Sequence, residues 1–407
     1  MCGEIRVDTA KNSVLPILAS TILCEDTVTL HNIPKFSDII NMCQILTSLG
    51  ATILHRGDSL MIDNSTTHLH TISSQLSQPI RSSIFTLGAL LGRFGVARVS
   101  YPGGCDIGLR PIDIHLKGLR ELGVIIIERH GIIQCDASHI HGGEVYLDYP
   151  SVGATENLIM ASVLGKPRRT ILHNVAREPE VSDLINFLNS MGAKITGAGK
   201  DTITIHSVNT LHGIQYTPIP DRIIAGTYLI AGAMTGGEVC IQGCNPKNLQ
   251  SLLQKLRKSS CKIVSKSDKI ILKADSPLVS FDIINTQPYP GFPTDLQSQM
   301  LTMSTICSGY TIIRENLFES RYKLVPELIK MGANIVVKDR VACVCGVPHL
   351  SGASVYATDL RGGASLVLAG LVAAGYTTIH DIHHIERGYH NIEGALRSLG
   401  ADIIRVE

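Results

Sequence analysis

The sequence predicts an α/β (α+β) protein of two domains, assembled from six βαβαββ-like repeats of about 70 residues each. Three observations carry that expectation. The chain has 407 residues, of which 44% are hydrophobic, enough to bury a large core and too many for one typical domain. Segments ending in a short turn recur along it as LTSLGATI, LRELGVII, LNSMGAKI, LRKSSCKI, LIKMGANI and LRSLGADI. Their turn positions are Gly50, Gly123, Gly192, Ser260, Gly332 and Gly400, spaced 68 to 73 residues apart. Apolar helix starts recur with the same period, near Asn12, Ser82, Gly153, Ile223, Leu296 and Gly362, spaced 66 to 73 residues apart. Units of this size suit a closed pseudo-symmetric arrangement better than an open solenoid, and six divide into two globular halves.

Each unit reads in the same order: an apolar helix, a strand rich in β-branched residues, an amphipathic helix ending at the recurrent turn, then a strand pair. In the first copy the helix is expected over 12–24, the strand over 27–31, the second helix over 38–49, and a hairpin of 51–55 with 59–62.

Composition narrows the function. Charged residues make up 17%, and 36 Lys plus Arg nearly cancel 35 Asp plus Glu, so no bulk field favours nucleic acid or an anionic membrane. The first residues lack a signal-peptide pattern, and the longest apolar stretch, 364–376, is shorter than a membrane span, so a cytoplasmic protein is expected. The 11 cysteines are scattered, and Cys24, Cys43 and Cys307 fall in apolar helical patterns, which predicts reduced core thiols. Cys240 with Cys244, and the adjacent His383 and His384, lack the companions of a zinc site, so no metal is expected.

The repeat alignment places Lys11, Arg81, Arg222 and Arg361 at four equivalent helix starts, with Ser151 and Asp295 at the other two. A cation there opposes the helix dipole unless an anion binds beside it or a neighbouring carboxylate pairs with it.

The segment 101–119, YPGGCDIGLRPIDIHLKGL, resembles the catalytic loop of the UDP-N-acetylglucosamine 1-carboxyvinyltransferase (UDP-N-acetylglucosamine enolpyruvyl transferase) family. The likeness continues through Lys11-Asn12, SVGAT from Ser151, AREPE from Ala176, Pro293-Thr294-Asp295, ATDLR ending at Arg361, and ERGY from Glu386, and so covers essentially the whole chain. The resemblance implies two inside-out α/β barrels of three repeats each, with the active site in the cleft between them. One domain would comprise 1–10 and 220–407, the other 11–219 with the Cys105 loop.

It also implies a reaction: transfer of the enolpyruvyl group of phosphoenolpyruvate to the 3-hydroxyl of UDP-N-acetylglucosamine, the first committed step of peptidoglycan synthesis. The two substrates would be the binding partners, and no cofactor is implied. Cys105, between two glycines and Arg110, would be the general acid and the target of fosfomycin. Asp295 would act at the sugar hydroxyl. Lys11, Arg110 and Arg387 would hold the phosphate, and Arg321 and Arg361 the carboxylate, with Asp359 in the same motif. The nucleotide sugar would meet Asn12, Arg81, Arg110, Pro111, Ile112, Asp113, Ile114, Ser151, Val152, Asp295 and Leu317.

Three features depart from the family pattern. Tyr149 stands where many members carry a phosphate-contacting Lys, and Ile224 replaces a carboxylate at a helix start. The chain also begins short of the usual start, so the first repeat is expected to lack part of its opening strand. Three other readings are a sister transferase acting on shikimate 3-phosphate, a non-catalytic paralogue that binds the nucleotide sugar, and a repeat scaffold for protein partners. The intact Pro-Gly-Gly-Cys segment at 102–105 opposes the first, and the retained Lys11, Cys105, Arg110, Asp295, Arg361 and Arg387 oppose the others.

Overall fold

A computed structural model describes residues 1–103, 107–108, 112–165 and 168–406. The third repeat shows the unit at its clearest. Strand Gly143–Tyr146 leads through helix Val152–Val163 to strand Arg169–His173, and the two strands pair in parallel, as a helical crossover requires. Helix Pro179–Ser190 follows, and a hairpin of Lys194–Thr196 and Thr202–His206 completes the sheet. Among the described residues five four-stranded sheets repeat this order, with the second strand of the hairpin inside the sheet and the first at its edge. The sixth repeat departs from the expected pattern. It forms two short parallel ladders, Leu350–Ser351 with Ala373–Ala374 and Ser354–Tyr356 with Thr378–His380. The segment 401–406 after its second helix has no ladder partner among the described residues, so the predicted final strand pair is not formed.

The first helix of each repeat lies inside and is apolar in the main, although Gln297–Ser304 also buries Gln297, Ser298, Gln299, Thr302 and Ser304. Every residue of Arg222–Met234 is buried, as are residues 154–163 of the Val152–Val163 helix and residues 360–369 of Leu360–Gly370. These inner helices pack on one another within each half, while the sheets alternate buried and exposed residues and form the outer layer. Helix Phe85–Phe94 meets Val152–Val163 at backbone distance, where a Cβ on Gly88 would stand 2.3 Å from the Asn157 carbonyl oxygen.

All six turn positions have positive φ: Gly50 107°, Gly123 90°, Gly192 104°, Ser260 71°, Gly332 92° and Gly400 88°. In each copy the next residue's N–H donates to a Leu carbonyl five residues back (Ala51 to Leu46, Val124 to Leu119, Ala193 to Leu188, Cys261 to Leu256, Ala333 to Leu328, Ala401 to Leu396). That 6→1 bond closes each amphipathic helix with a Schellman turn.

The chain divides into two compact units, Met1–Asp8 with Asp106–Arg110 and Pro220–Glu407, and Thr9–Cys105 with Pro111–Ile219. Ile107 joins the first through the Ser320 N–H, which donates to its carbonyl at 3.1 Å. Each unit is closed by a strand remote in sequence. Strand Cys2–Arg6 pairs in parallel with Glu238–Gln242, and strand Gln215–Tyr216 pairs with Val28–Leu30. The expectation of a truncated first repeat is corrected here: its opening strand is 215–216, and the N-terminal strand opens the fourth repeat instead.

Candidate active site

In the second unit, Lys11 opens helix Lys11–Ser20 with no side-chain cap before it. Its ammonium lies 3.0 Å from Asp38, the acid in the first turn of helix Ser37–Ser48, and both are buried, 8% and 4% exposed. The carboxylate suits that helix terminus and holds the lysine charge at the start of the neighbouring helix. Arg81 begins the 3-10 turn Arg81–Ile84, and both it and Asn12 are half-buried. Ser151 caps helix Val152–Val163 by accepting from the Ala154 N–H, and its own N–H donates to the carbonyl of the exposed Tyr149. Ile112 is buried, Ile114 half-buried and Asp113 exposed, at the start of helix Asp113–Glu121. With Tyr101, Lys117 and Asp148 these three line a cavity of about 400 Å³. Cys105, Arg110 and Pro111 lie outside the described residues.

In the first unit, three of the expected residues form one cluster. Arg321 Nη2 donates to Asp295 Oδ1 at 2.5 Å, and Arg361 Nη2 donates to Oδ2 at 2.9 Å. Both arginines are 3% exposed, whereas the Asp295 side chain is 24% exposed between them. Bidentate use of one carboxylate by two guanidiniums fixes its plane. Burial opposes the Arg361 charge, but Asp295 first, then Tyr389 and Asp221, raise its pKa above the ordinary guanidinium value. Asp359 caps helix Leu360–Gly370 by accepting from the N–H groups of Arg361 and Gly362, and Asp221 does the same for Ile223 and Ile224. The helix start that carries Ile224 therefore keeps a carboxylate, one supplied by its cap. Arg222 lies over the Tyr289 ring at 5.7 Å.

Arg387 is half-buried at the end of the 3-10 segment Ile382–Arg387. Two residues on, Tyr389 is fully buried, with its hydroxyl 2.8 Å from Thr227 Oγ1 and its ring 6.0 Å from the Arg361 guanidinium carbon. Gln299 Nε2 also donates to Thr227, so polar groups from the inner helices Arg222–Met234 and Gln297–Ser304 anchor the segment that carries Arg387. Leu317 is half-buried on a turn whose N–H groups at Leu317 and Phe318 donate to the buried Glu315.

Curated relatives and solved structures place the chain in a family. A family model described as EPSP synthase (3-phosphoshikimate 1-carboxyvinyltransferase) matches residues 1–396. UDP-N-acetylglucosamine 1-carboxyvinyltransferase 2 of Caldanaerobacter subterraneus subsp. tengcongensis is 48% identical over 99% of this chain and 97% of its own length. This chain belongs to the enolpyruvyl transferase family. The UDP-N-acetylglucosamine 1-carboxyvinyltransferase of Synechocystis sp. is 43% identical over 100% of this chain and 93% of its own. Among solved structures, the enolpyruvyl transferase NikO from Streptomyces tendae superposes with a TM-score of 0.87 at 27% identity, covering 98% of this chain and 95% of that one. EPSP synthase from Acinetobacter baumannii shares the fold, with a TM-score of 0.70 at 16% identity, over 98% of this chain and 95% of that chain.

Among enolpyruvyl transferase positions that the sequence did not single out, Asp38, Asp221, Thr227 and Glu315 are held in the clusters above. Of these only Asp221 left a signal: it stands one residue before the aligned Arg222, where a cap belongs, as the expected Asp359 stands two before Arg361. Nothing in the sequence joins Lys11 to Asp38 or Thr227 to Tyr389.

Proposed function

We infer that this enolpyruvyl transferase moves the enolpyruvyl group of phosphoenolpyruvate to the 3-hydroxyl of UDP-N-acetylglucosamine and releases phosphate. The observation that carries the reading is the 43 to 48% identity, along nearly the whole chain, to relatives named for that activity. The chemistry asks for a proton at the methylene carbon, an acceptor at the sugar hydroxyl, and fixed positive charge around a phosphate and a carboxylate. Cys105 supplies the proton. Asp295 faces the hydroxyl as its acceptor, and its two arginines keep it oriented for that task. Lys11, Arg110 and Arg387 take the phosphate, while Arg321 and Arg361 keep donors for the substrate carboxylate because a guanidinium carries five N–H groups. Asn12, Arg81, Pro111, Ile112, Asp113, Ile114, Ser151, Val152 and Leu317 surround the nucleotide sugar, and Asp359 sets the helix that carries Arg361.

The reaction places the protein at the entry to peptidoglycan synthesis, in the cytoplasm, with Cys105 as the thiol open to fosfomycin. No helix is long and apolar enough to cross a membrane among the described residues, which is compatible with that location.

The deciding measurement is phosphate release from phosphoenolpyruvate with and without UDP-N-acetylglucosamine, in the natural chain and in Cys105→Ala. Sugar-dependent release that collapses in the variant is expected. Release with shikimate 3-phosphate and none with the nucleotide sugar overturns the substrate assignment; tight sugar binding without release overturns the activity.

A further inference from the structure

Glu315 is fully buried, at 0% exposure, and lies directly after strand Tyr310–Arg314. Its two oxygens divide their work. Oε1 accepts from the Leu317 and Phe318 N–H groups at 2.8 and 3.1 Å, which shapes the turn leading to Arg321. Oε2 accepts from Thr294 Oγ1 at 3.0 Å. Thr294 in turn accepts from Arg321 Nε at 3.2 Å, and Arg321 Nη2 holds Asp295. All three hydrogen-bond partners of the Glu315 carboxylate among the described residues are donors, so both oxygens accept, and the Thr294 hydroxyl must point its hydrogen at Glu315 and its lone pair at Arg321. One buried carboxylate therefore joins the turn of Leu317, the guanidinium of Arg321 and the residue preceding Asp295.

We propose that Glu315 is a positioning residue for the transfer: through Thr294 it sets the direction of Arg321, and through Arg321 the plane of the Asp295 carboxylate. The proposal rests on the function inferred above. A hydrogen-bonded chain in a buried site has one low-energy arrangement, and an acceptor displaced by about 1 Å costs up to about a hundredfold in rate. Glu315→Gln tests the chain selectively. The amide oxygen still accepts from Leu317 and Phe318, but the amide nitrogen can only donate to Thr294, which reverses that bond and leaves the hydroxyl hydrogen without its acceptor.

The experiment is a double-mutant cycle of Glu315→Gln and Thr294→Val, with kcat and KM for both substrates, calorimetric affinity for UDP-N-acetylglucosamine, and Tm measured on each protein. Each single variant is expected to lower kcat by between about tenfold and a hundredfold while remaining folded at the assay temperature. The double variant is expected to be no slower than the worse single one, because both cut the same chain. Thr294→Ser, which keeps the hydroxyl, is expected to recover most of the rate. Losses that multiply, or a lowered Tm with kcat unchanged per folded molecule, overturn the positioning role. A natural chain that turns over neither sugar nor shikimate 3-phosphate overturns the inferred function instead. In that case unchanged nucleotide-sugar affinity in both variants overturns the positioning role as well, and weakened affinity supports it.

Discussion

Arg361 and Arg321 are both buried with Asp295 between them, and that carboxylate keeps the Arg361 charge in the interior. Taking the carboxylate away leaves two buried guanidiniums against one another, so Asp295→Ala is expected to cost about 3–5 kcal/mol, read as a lowered denaturant midpoint, besides abolishing turnover. Glu156 is the opposite case. It is fully buried on the Val152–Val163 helix, neither oxygen has a hydrogen-bond partner among the described residues, and burial first, then Glu180 and Glu178, raises its pKa well above the ordinary carboxyl value. A carboxyl that holds its proton more tightly when folded favours folding at low pH. That contribution is complete below the ordinary glutamate pKa and is lost as pH rises toward the folded value. Glu156→Gln, which cannot ionise, is therefore expected to raise Tm at pH 8 and to change it little near pH 4, measured by calorimetry across that range. The thiols follow the same physics: burial pushes Cys135 and Cys307 up to about 12 and Cys43 to about 11, which keeps them inert.

At the scale of the element, the second helix of every repeat ends in the same Schellman turn, and glycine fills its left-handed position in all copies but the fourth. Ser260, at φ 71°, adopts that conformation with a Cβ. Ser260→Gly is expected to stabilise by about 1 kcal/mol, a rise in Tm of about 2–4 °C. The inner helices set the reverse demand. Gly88→Ala drives a methyl group into the Asn157 carbonyl and is expected to destabilise by about 1–3 kcal/mol, visible as earlier thermal unfolding. These turns were legible in the sequence because a left-handed helix end has a small residue menu. Element boundaries were less so: the first helix was expected to run to residue 24, whereas it spans Lys11–Ser20 and tightens into a 3-10 turn over Thr21–Leu23. There the hydroxyls of Ser20 and Thr21 donate to the carbonyls of Ile17 and Leu18, and apolar periodicity carries no record of such bonds.

For the whole molecule, the two closing strands matter most. Cys2–Arg6 covers the edge of Glu238–Gln242 over five register pairs, with the Met1 carbonyl accepting from the Glu238 N–H. Removing residues 1–6 is expected to expose that edge, lower the stability of the first unit and speed amide exchange in 238–242 by at least tenfold, while leaving exchange in Arg169–His173 of the second unit near its natural rate. The strand at 215–216 has the same duty for Val28–Leu30, so each unit is closed by a segment that its own repeat does not contain.

The sequence by itself determined the six-fold recurrence, the alternation of buried and amphipathic helices, the family, and the positions at which cations and carboxylates recur. Each of these is a matter of local periodicity, capping chemistry or residue-by-residue resemblance, and all are written within a few turns of chain. Only the tertiary structure decided which charges meet. Asp295 finds Arg321 and Arg361 at separations of 26 and 66 residues, and Lys11 finds Asp38 at a separation of 27. It also decided which strand closes which repeat, because an open sheet edge is satisfied by whatever backbone the fold brings alongside, and a ladder of main-chain hydrogen bonds leaves almost no mark on the side chains that form it.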